Sequence, residues 1–243
     1  MSNTKNYSKQ DPKTICSLFD SIADNYDKTN GILSLQLHKK WNSSLIQSVL
    51  VPNQPKIFLD LCCGTGAIAY EYLQMPQTRP TVTYMLDFSP NMLKLGQARL
   101  NAKELSKHDI HFIQADAELI PLMNESIDCV TVAYGIRNIK NPANCIREVY
   151  RVLRPGGVFG ILELTEPKNR VLRLGHSFYL RTVLPILGKL CTSNKEAYSY
   201  LCTSIPDFIP PEKLRSLLEE TGFQKVTVQP LFGGIATILK GTK

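Results

Sequence analysis

Asp60, Asp87 and Asp116 each close a short apolar run, and a Gly64-Thr65-Gly66 turn follows the first of them. A carboxylate at the end of a strand accepts hydrogen bonds from a ligand's hydroxyl and amine groups. A glycine turn between strand and helix lets backbone N–H groups approach that ligand closely. The stretch Phe58-Leu59-Asp60-Leu61-Cys62-Cys63-Gly64-Thr65-Gly66 has this layout. Ala69 stands where the dinucleotide pattern G-x-G-x-x-G has its third glycine, and the Lys-Ser/Thr of a phosphate-binding loop is absent. The expected ligand is therefore adenosine-like without a pyrophosphate, and S-adenosylmethionine fits that description.

Two of the acids, Asp60 and Asp116, have two readings. Asp60 either faces the sulfonium or amino group of the methionine part, or pins the turn by local hydrogen bonds. The amide and hydroxyl of Thr65 reach the methionine end. Asp87 lies 23 residues after Gly64, the spacing at which a carboxylate meets ribose hydroxyls. Phe88 packs beside the ribose or adenine, and Ser89 is a natural helix cap with Pro90 behind it. Asp116 accepts from the adenine amine while the Ala117 backbone reads a ring nitrogen, or else Asp116 caps a short turn.

These residues need an alternating frame. Strands are expected at 57–61, 82–86, 110–114, 128–133, 158–164, 225–229 and 234–240, with helices near 66–74, 90–104, 142–153 and 211–221. Such alternation implies an α/β fold with a mostly parallel, doubly wound sheet. The last two strands, joined through Pro230, Gly233 and Gly234, form an antiparallel hairpin. Residues 14–50 carry a helical pattern, and 168–205 read as a helical insertion or lid before the final strands. Residues 1–13 read as loosely attached. The whole chain, 1–243, reads as one domain.

Bulk properties set limits. The 28 Lys+Arg against 21 Asp+Glu give a net charge of +7, which favours an anionic partner. The basic residues are scattered without a run of five, so no nucleic-acid partner is expected. No apolar run reaches the roughly 20 residues of a membrane span, and a cytoplasmic location is expected. The seven cysteines include no C-x-x-C pair, so no metal site is expected and the thiols should be reduced and mostly buried.

Together, Asp60 with Gly64-Thr65-Gly66, Asp87, Asp116-Ala117 and Arg154-Pro155-Gly156-Gly157 resemble class I S-adenosylmethionine-dependent methyltransferases. More closely, the chain resembles the UbiE/MenG group, which methylates a ring carbon of polyprenylated quinone precursors. Residues 26–41, YDKTNGILSLQLHKKW, follow that group's Y-D-x-M-N-x-x-L-S-x-x-x-H-x-x-W. Residues 151–163 follow its R-V-L-K-P-G-G…E, and the likeness continues through Tyr200-Leu201 to Gly233-Gly234-Ile235. Thr29 stands where Met is usual, while Ala67 and Ala133 replace polar residues.

The resemblance implies a seven-stranded Rossmann-like fold and methyl transfer without a metal, leaving S-adenosylhomocysteine. The acceptor is demethylmenaquinol, or a polyprenyl-methoxy-benzoquinol; a non-catalytic scaffold in a quinone-making complex is the remaining alternative. The ring is most nucleophilic with a neighbouring hydroxyl deprotonated. Arg137 is then the phenolate partner or is ion-paired with Glu163 or Asp60. Asn138 orients a water or the quinol oxygen, and Tyr26 and His38 close over the ring, or His38 merely packs. Trp41 reads as core. The apolar and basic residues of 171–190 suit the surface of an anionic membrane, or else a lid or homodimer contact.

Overall fold

The computed structural model describes residues 12–23, 26–50, 57–75, 82–101, 108–184, 200, 204–206 and 208–243. Seven strands form one sheet in the order β3-β2-β1-β4-β5-β7-β6. They are β1 (Ile57–Leu61), β2 (Val82–Asp87), β3 (Asp109–Gln114), β4 (Ile127–Ala133), β5 (Leu153–Leu164), β6 (Gln224–Leu231) and β7 (Ala236–Thr242). The first five run parallel, and β7 is antiparallel to both β5 and β6. The order reverses between β1 and β4, and open α/β sheets bind ligands outside the carboxyl ends of the strands at such a reversal.

Side chains alternate across β1 and decide which helices it meets. Leu59 and Leu61 join the core under α6 (Pro142–Val152) and α8 (Pro211–Thr221). Phe58 joins the opposite core under α3 (Leu37–Val49), α4 (Ala67–Leu73) and α5 (Pro90–Asn101). Asp60 alternates with Leu59 and Leu61 and reaches the first residues of α4 by a hydrogen bond. Two further helices, α1 (Pro12–Ile22) and α2 (Tyr26–Leu33), precede α3. The helix α7 (Arg170–Phe178) follows β5 and continues as a π-helical turn through Val183.

Several boundaries differ from those expected. The amino-terminal helix begins at Pro12, so residues 12–13 are not loose. The segment 14–50 holds three helices, with Leu35 and Gln36 in left-handed conformations between the second and third. β5 begins at Leu153 because Leu153 pairs with Ile127 before the ladder shifts register. β6 extends to Leu231 and includes Pro230, which an edge strand tolerates since its N–H is not needed. The final strand starts two residues late, because Phe232–Gly234 form a 3₁₀ turn. The expected helical residues 185–199 and 201–203, with Cys191 and Cys202, lie outside the described residues, as do 1–11 and 102–104.

The position of α3 depends on Gly160 in β5. A Cβ there would collide with Cγ1 of buried Val49 and lie 3.1 Å from Cδ1 of Leu45. Val49 is β-branched and cannot swing aside cheaply. Gly160→Ala is expected to cost about 1–3 kcal/mol by overpacking, read as a lowered urea midpoint at unchanged slope. An unchanged midpoint would show that α3 does not press on the strand.

Candidate active site

Two cavities open at the sheet reversal. One has a volume of 110 Å³ and the other 1030 Å³. Tyr26, Cys62, Gly64, Ala133 and Tyr134 line both. The wall between them is thus built from the loops that leave β1 and β4.

The smaller cavity gathers the residues expected around an adenosine. Asp87, Phe88, Asp116 and Ala117 all line it. The Asp87 carboxylate accepts the Gly64 N–H at 2.8 Å and the Ser89 N–H at 2.9 Å. Burial pushes its pKa up, while those backbone donors oppose the rise. Asp116 accepts the Glu118 N–H at 2.9 Å, the turn-capping alternative, and still borders the cavity. Ser89 caps α5 as its type suggested, accepting from the Met92 N–H at 3.1 Å. Ile15, Cys16 and Phe19 of α1 cover the outer side.

The glycine turn divides its labour. Gly64 has φ +54°, and a Cβ there would meet nothing within 4 Å. It is the point where a ligand can approach the backbone from both cavities. Gly66 starts α4 and packs on Met85; it lines neither cavity. Thr65 faces the larger cavity, but its hydroxyl donates to Asp27 of α2 at 2.7 Å. Arg99 of α5 pairs with the same Asp27 and donates to the Thr65 carbonyl at 3.1 Å. The turn is therefore clasped to α2.

Asp60 is 1% exposed. Its oxygens accept the Ala69 N–H at 3.0 Å and the Thr131 hydroxyl at 3.2 Å. Strand register makes Thr131 its direct neighbour on β4. The local-pin reading of Asp60 thus has its bonds in the structure, although Asp60 also lines the larger cavity. Burial pushes its pKa to about 7, against the pull of those two donors.

The larger cavity brings Tyr26, His38 and Arg137 together. Leu33, Leu164, Leu172, Leu180 and Ile205 give it apolar walls. Arg137 is 5% exposed and paired with fully buried Glu163, which also accepts the Arg137 and Leu164 N–H groups. The ion-pair alternative for Arg137 is the one observed. Asn138 borders the smaller cavity instead; its amide donates to the Tyr134 carbonyl at 3.3 Å and accepts from the Tyr200 hydroxyl at 2.8 Å. Trp41 is core and also cavity wall.

Tyr134 went unassigned in the sequence. It holds φ +56°, strained for a residue with a bulky side chain, at the junction of both cavities. Its hydroxyl donates to Asn42 at 3.1 Å, and burial raises its pKa well above the usual range. A polar residue one helical turn beyond His38 was the signal available for Asn42. Among the described residues no group of three potential metal ligands exists.

A family model described as the ubiE/COQ5 methyltransferase family matches residues 5–243. The demethylmenaquinone methyltransferase of Protochlamydia amoebophila is 45% identical, covering 98% of each chain. The ubiquinone/menaquinone biosynthesis C-methyltransferase UbiE of Pseudomonas aeruginosa is 34% identical over 96% of this chain and 90% of its own. Among solved structures, an S-adenosylmethionine-dependent methyltransferase from Aquifex aeolicus has TM-score 0.64 at 14% identity, covering 96% of this chain and 99% of its own. One from Thermotoga maritima has TM-score 0.62 at 18% identity, covering 93% and 99%. These last two establish the Rossmann-like methyltransferase fold.

The raised pKa of Asp60 makes stability depend on pH. Above the unfolded value near 3.8 the folded state binds a proton that the unfolded state has lost, so stability falls as pH rises towards about 7 and then levels. Asp60→Asn is expected to remove that component. Unfolding free energies measured from pH 4 to 8 should converge at pH 4, and the variant should gain on the wild type towards pH 8. Parallel curves would place the Asp60 pKa in the ordinary range.

Proposed function

This chain belongs to the ubiE/COQ5 methyltransferase family, and from that premise we propose that it methylates a ring carbon of a polyprenylated quinol, demethylmenaquinol first. The single observation that carries the reading is the shared wall of the two cavities. A donor in the smaller and an acceptor ring in the larger meet at Gly64, Ala133 and Tyr134. Holding two reactants in line is the main catalytic task in a methyl transfer.

The smaller cavity suits S-adenosylmethionine in chemistry: acceptors Asp87 and Asp116 for hydroxyl and amine groups, apolar Phe88, and clear space over Gly64. Bound there, the cofactor supplies an electrophilic methyl group and leaves as S-adenosylhomocysteine. Asp60 and Thr65 border the larger cavity near the glycine turn, on the side of the methionine part. Ala67 and Ala133 add no polar contact. The larger cavity is apolar and roomy enough for a bicyclic ring and the first part of a prenyl tail. Arg137 gives it a fixed positive charge, tempered by Glu163, to favour a ring phenolate. Asn138 braces the Tyr134 backbone that borders both ligands. Tyr26 and His38 close the ring side.

A naphthoquinol is preferred because the relative at 45% identity is named for demethylmenaquinone alone. A benzoquinol is the second reading, since the Pseudomonas relative's name covers both quinones. Purified protein with labelled S-adenosylmethionine is expected to methylate demethylmenaquinol faster than a demethylated benzoquinol, measured by mass spectrometry. The reverse preference would transfer the assignment to ubiquinone synthesis. Cofactor binding by calorimetry with neither product would support a scaffold instead.

A greasy acceptor needs a route in. Among the described residues no helix is long and apolar enough to cross a membrane. Instead α7 buries none of its residues and leaves Val171 77%, Leu174 73% and Phe178 63% exposed. Arg170, Arg173 and Arg181 are exposed beside them, and Val171, Leu172 and His176 line the larger cavity. We infer peripheral docking of α7 on anionic lipid, which places the cavity mouth at the source of the tail. Sedimentation with phosphatidylglycerol vesicles should exceed that with neutral vesicles, and Val171→Asp with Phe178→Asp should abolish it. Equal pelleting of wild type and variant would refute the docking, and a lipid-independent doubling of mass would assign this face to a homodimer.

A further inference from the structure

Tyr26, Asn30, Ser34, His38 and Asn42 recur every four residues through α2, the turn after it and α3, and all five line the larger cavity. Their neighbours on that wall, Leu33, Leu35, Leu37 and Trp41, are apolar. Side chains four apart share a helix face. The left-handed pair Leu35-Gln36 turns the chain so that the stripe carries from one helix to the next. Its upper end is anchored at the cavity junction, where Asn42 holds the Tyr134 hydroxyl.

The middle of the stripe is a directed hydrogen-bond chain. The Ser34 hydroxyl donates to the Asn30 carbonyl at 2.6 Å. The same oxygen lies 2.6 Å from His38 Nδ1. A hydroxyl has one proton, and Ser34 has spent it on Asn30. The bond to His38 then requires Nδ1 to be the donor, which leaves Nε2 of a neutral ring as the acceptor. Among the described residues nothing donates to Nε2.

The alternatives in the cavity are less available to take a proton. Arg137 is always protonated and held by Glu163. Both oxygens of Asp60 accept hydrogen bonds already. Burial keeps the Tyr26 and Tyr134 hydroxyls protonated. His38 is pushed below its usual pKa by burial, with Lys39 adding to the shift and Asp27 opposing it. The other charged groups on this cavity are Lys28 of α2, Glu71 of α4, Arg99 of α5 and, when protonated, His176 of α7.

We propose that His38 Nε2 is the base that takes the hydroxyl proton of the acceptor ring, and that Ser34 is the positioning residue that fixes the required tautomer. This rests on the methyl-transfer reading and names its proton acceptor. The quinol O–H bond breaks and its proton goes to Nε2. A ring carbon forms a bond to the methyl group as the methyl–sulfur bond breaks, its electron pair staying on sulfur. The ring carbon then loses its own proton to solvent, and the oxygen regains one from the imidazolium. One proton is released per turnover.

The test is kcat/KM against pH on demethylmenaquinol, with imidazole nitrogen-15 NMR on the same proteins. The wild type should show an acid limb below pH 6.5 and a protonated Nδ1. His38→Gln should lose that limb and about 10²–10⁴-fold in rate while still binding S-adenosylmethionine. Ser34→Ala should give mixed tautomers and lower kcat with unchanged cofactor affinity, and Ser34→Thr should restore both. A limb that survives in His38→Gln, or disappears in His176→Gln instead, would overturn the base role. A wild type with protonated Nε2 would overturn the role of Ser34. A wild type with protonated Nδ1 that methylates no quinol would sink the methyl-transfer reading, and the base role with it, while leaving the tautomer assignment standing.

Discussion

The buried pair of Arg137 and Glu163 is the constraint on which the site depends. It joins the loop leaving β4 to the end of β5, beside the wall that both cavities share. Two charges removed from water recover little net stability from each other. Their effect is geometric. Glu163 takes the Arg137 side chain, the Arg137 N–H and the Leu164 N–H together, which leaves the 134–138 loop one arrangement. Burial pushes the Glu163 carboxyl up and Arg137 draws it back, so the carboxylate survives only with its partner in place. Loss of Glu163 alone would strand the Arg137 charge in the core, at a cost of about 3–5 kcal/mol.

That fixed loop presents Tyr134 in its strained conformation, with Asn138 bracing its carbonyl and Asn42 holding its hydroxyl. The opposite side is held from α2, through Asp27 to Thr65 and Arg99. Helices from the amino-terminal segment and loops from the sheet thus grip the same junction. Both cavities open at that junction, and the large apolar chamber lies on one side of it only.

Much of this was legible in the chain. Alternating apolar strands and helices, with Asp87 and Asp116 at strand ends, point to the parallel sheet and to the residues that line the smaller cavity, because those signals are local. Ser89-Pro90 gave the start of α5 for the same reason. Boundaries were missed where pairing overrode pattern: β5 extends back to Leu153 because Ile127 lies opposite. The glycine turn suggests a ligand-facing Thr65 hydroxyl, yet Asp27, distant in sequence, takes it. Asn138, expected to orient a water or the quinol oxygen, lines the smaller cavity, with its amide bonded to Tyr134 and Tyr200.

The sequence by itself determined the sheet, the glycine turn and the acids beside it, because each depends on residues close together in the chain. The spacing of Tyr26, Asn30, Ser34, His38 and Asn42 was also written there, as part of a longer motif. Only the tertiary structure decided what faces what: that Arg137 meets Glu163, that Asp60 meets Thr131 across strands, and that the four-residue stripe faces a cavity. Those facts depend on strand register and on α3 lying close against β5, and hydrogen bonds between distant residues leave no trace in local pattern.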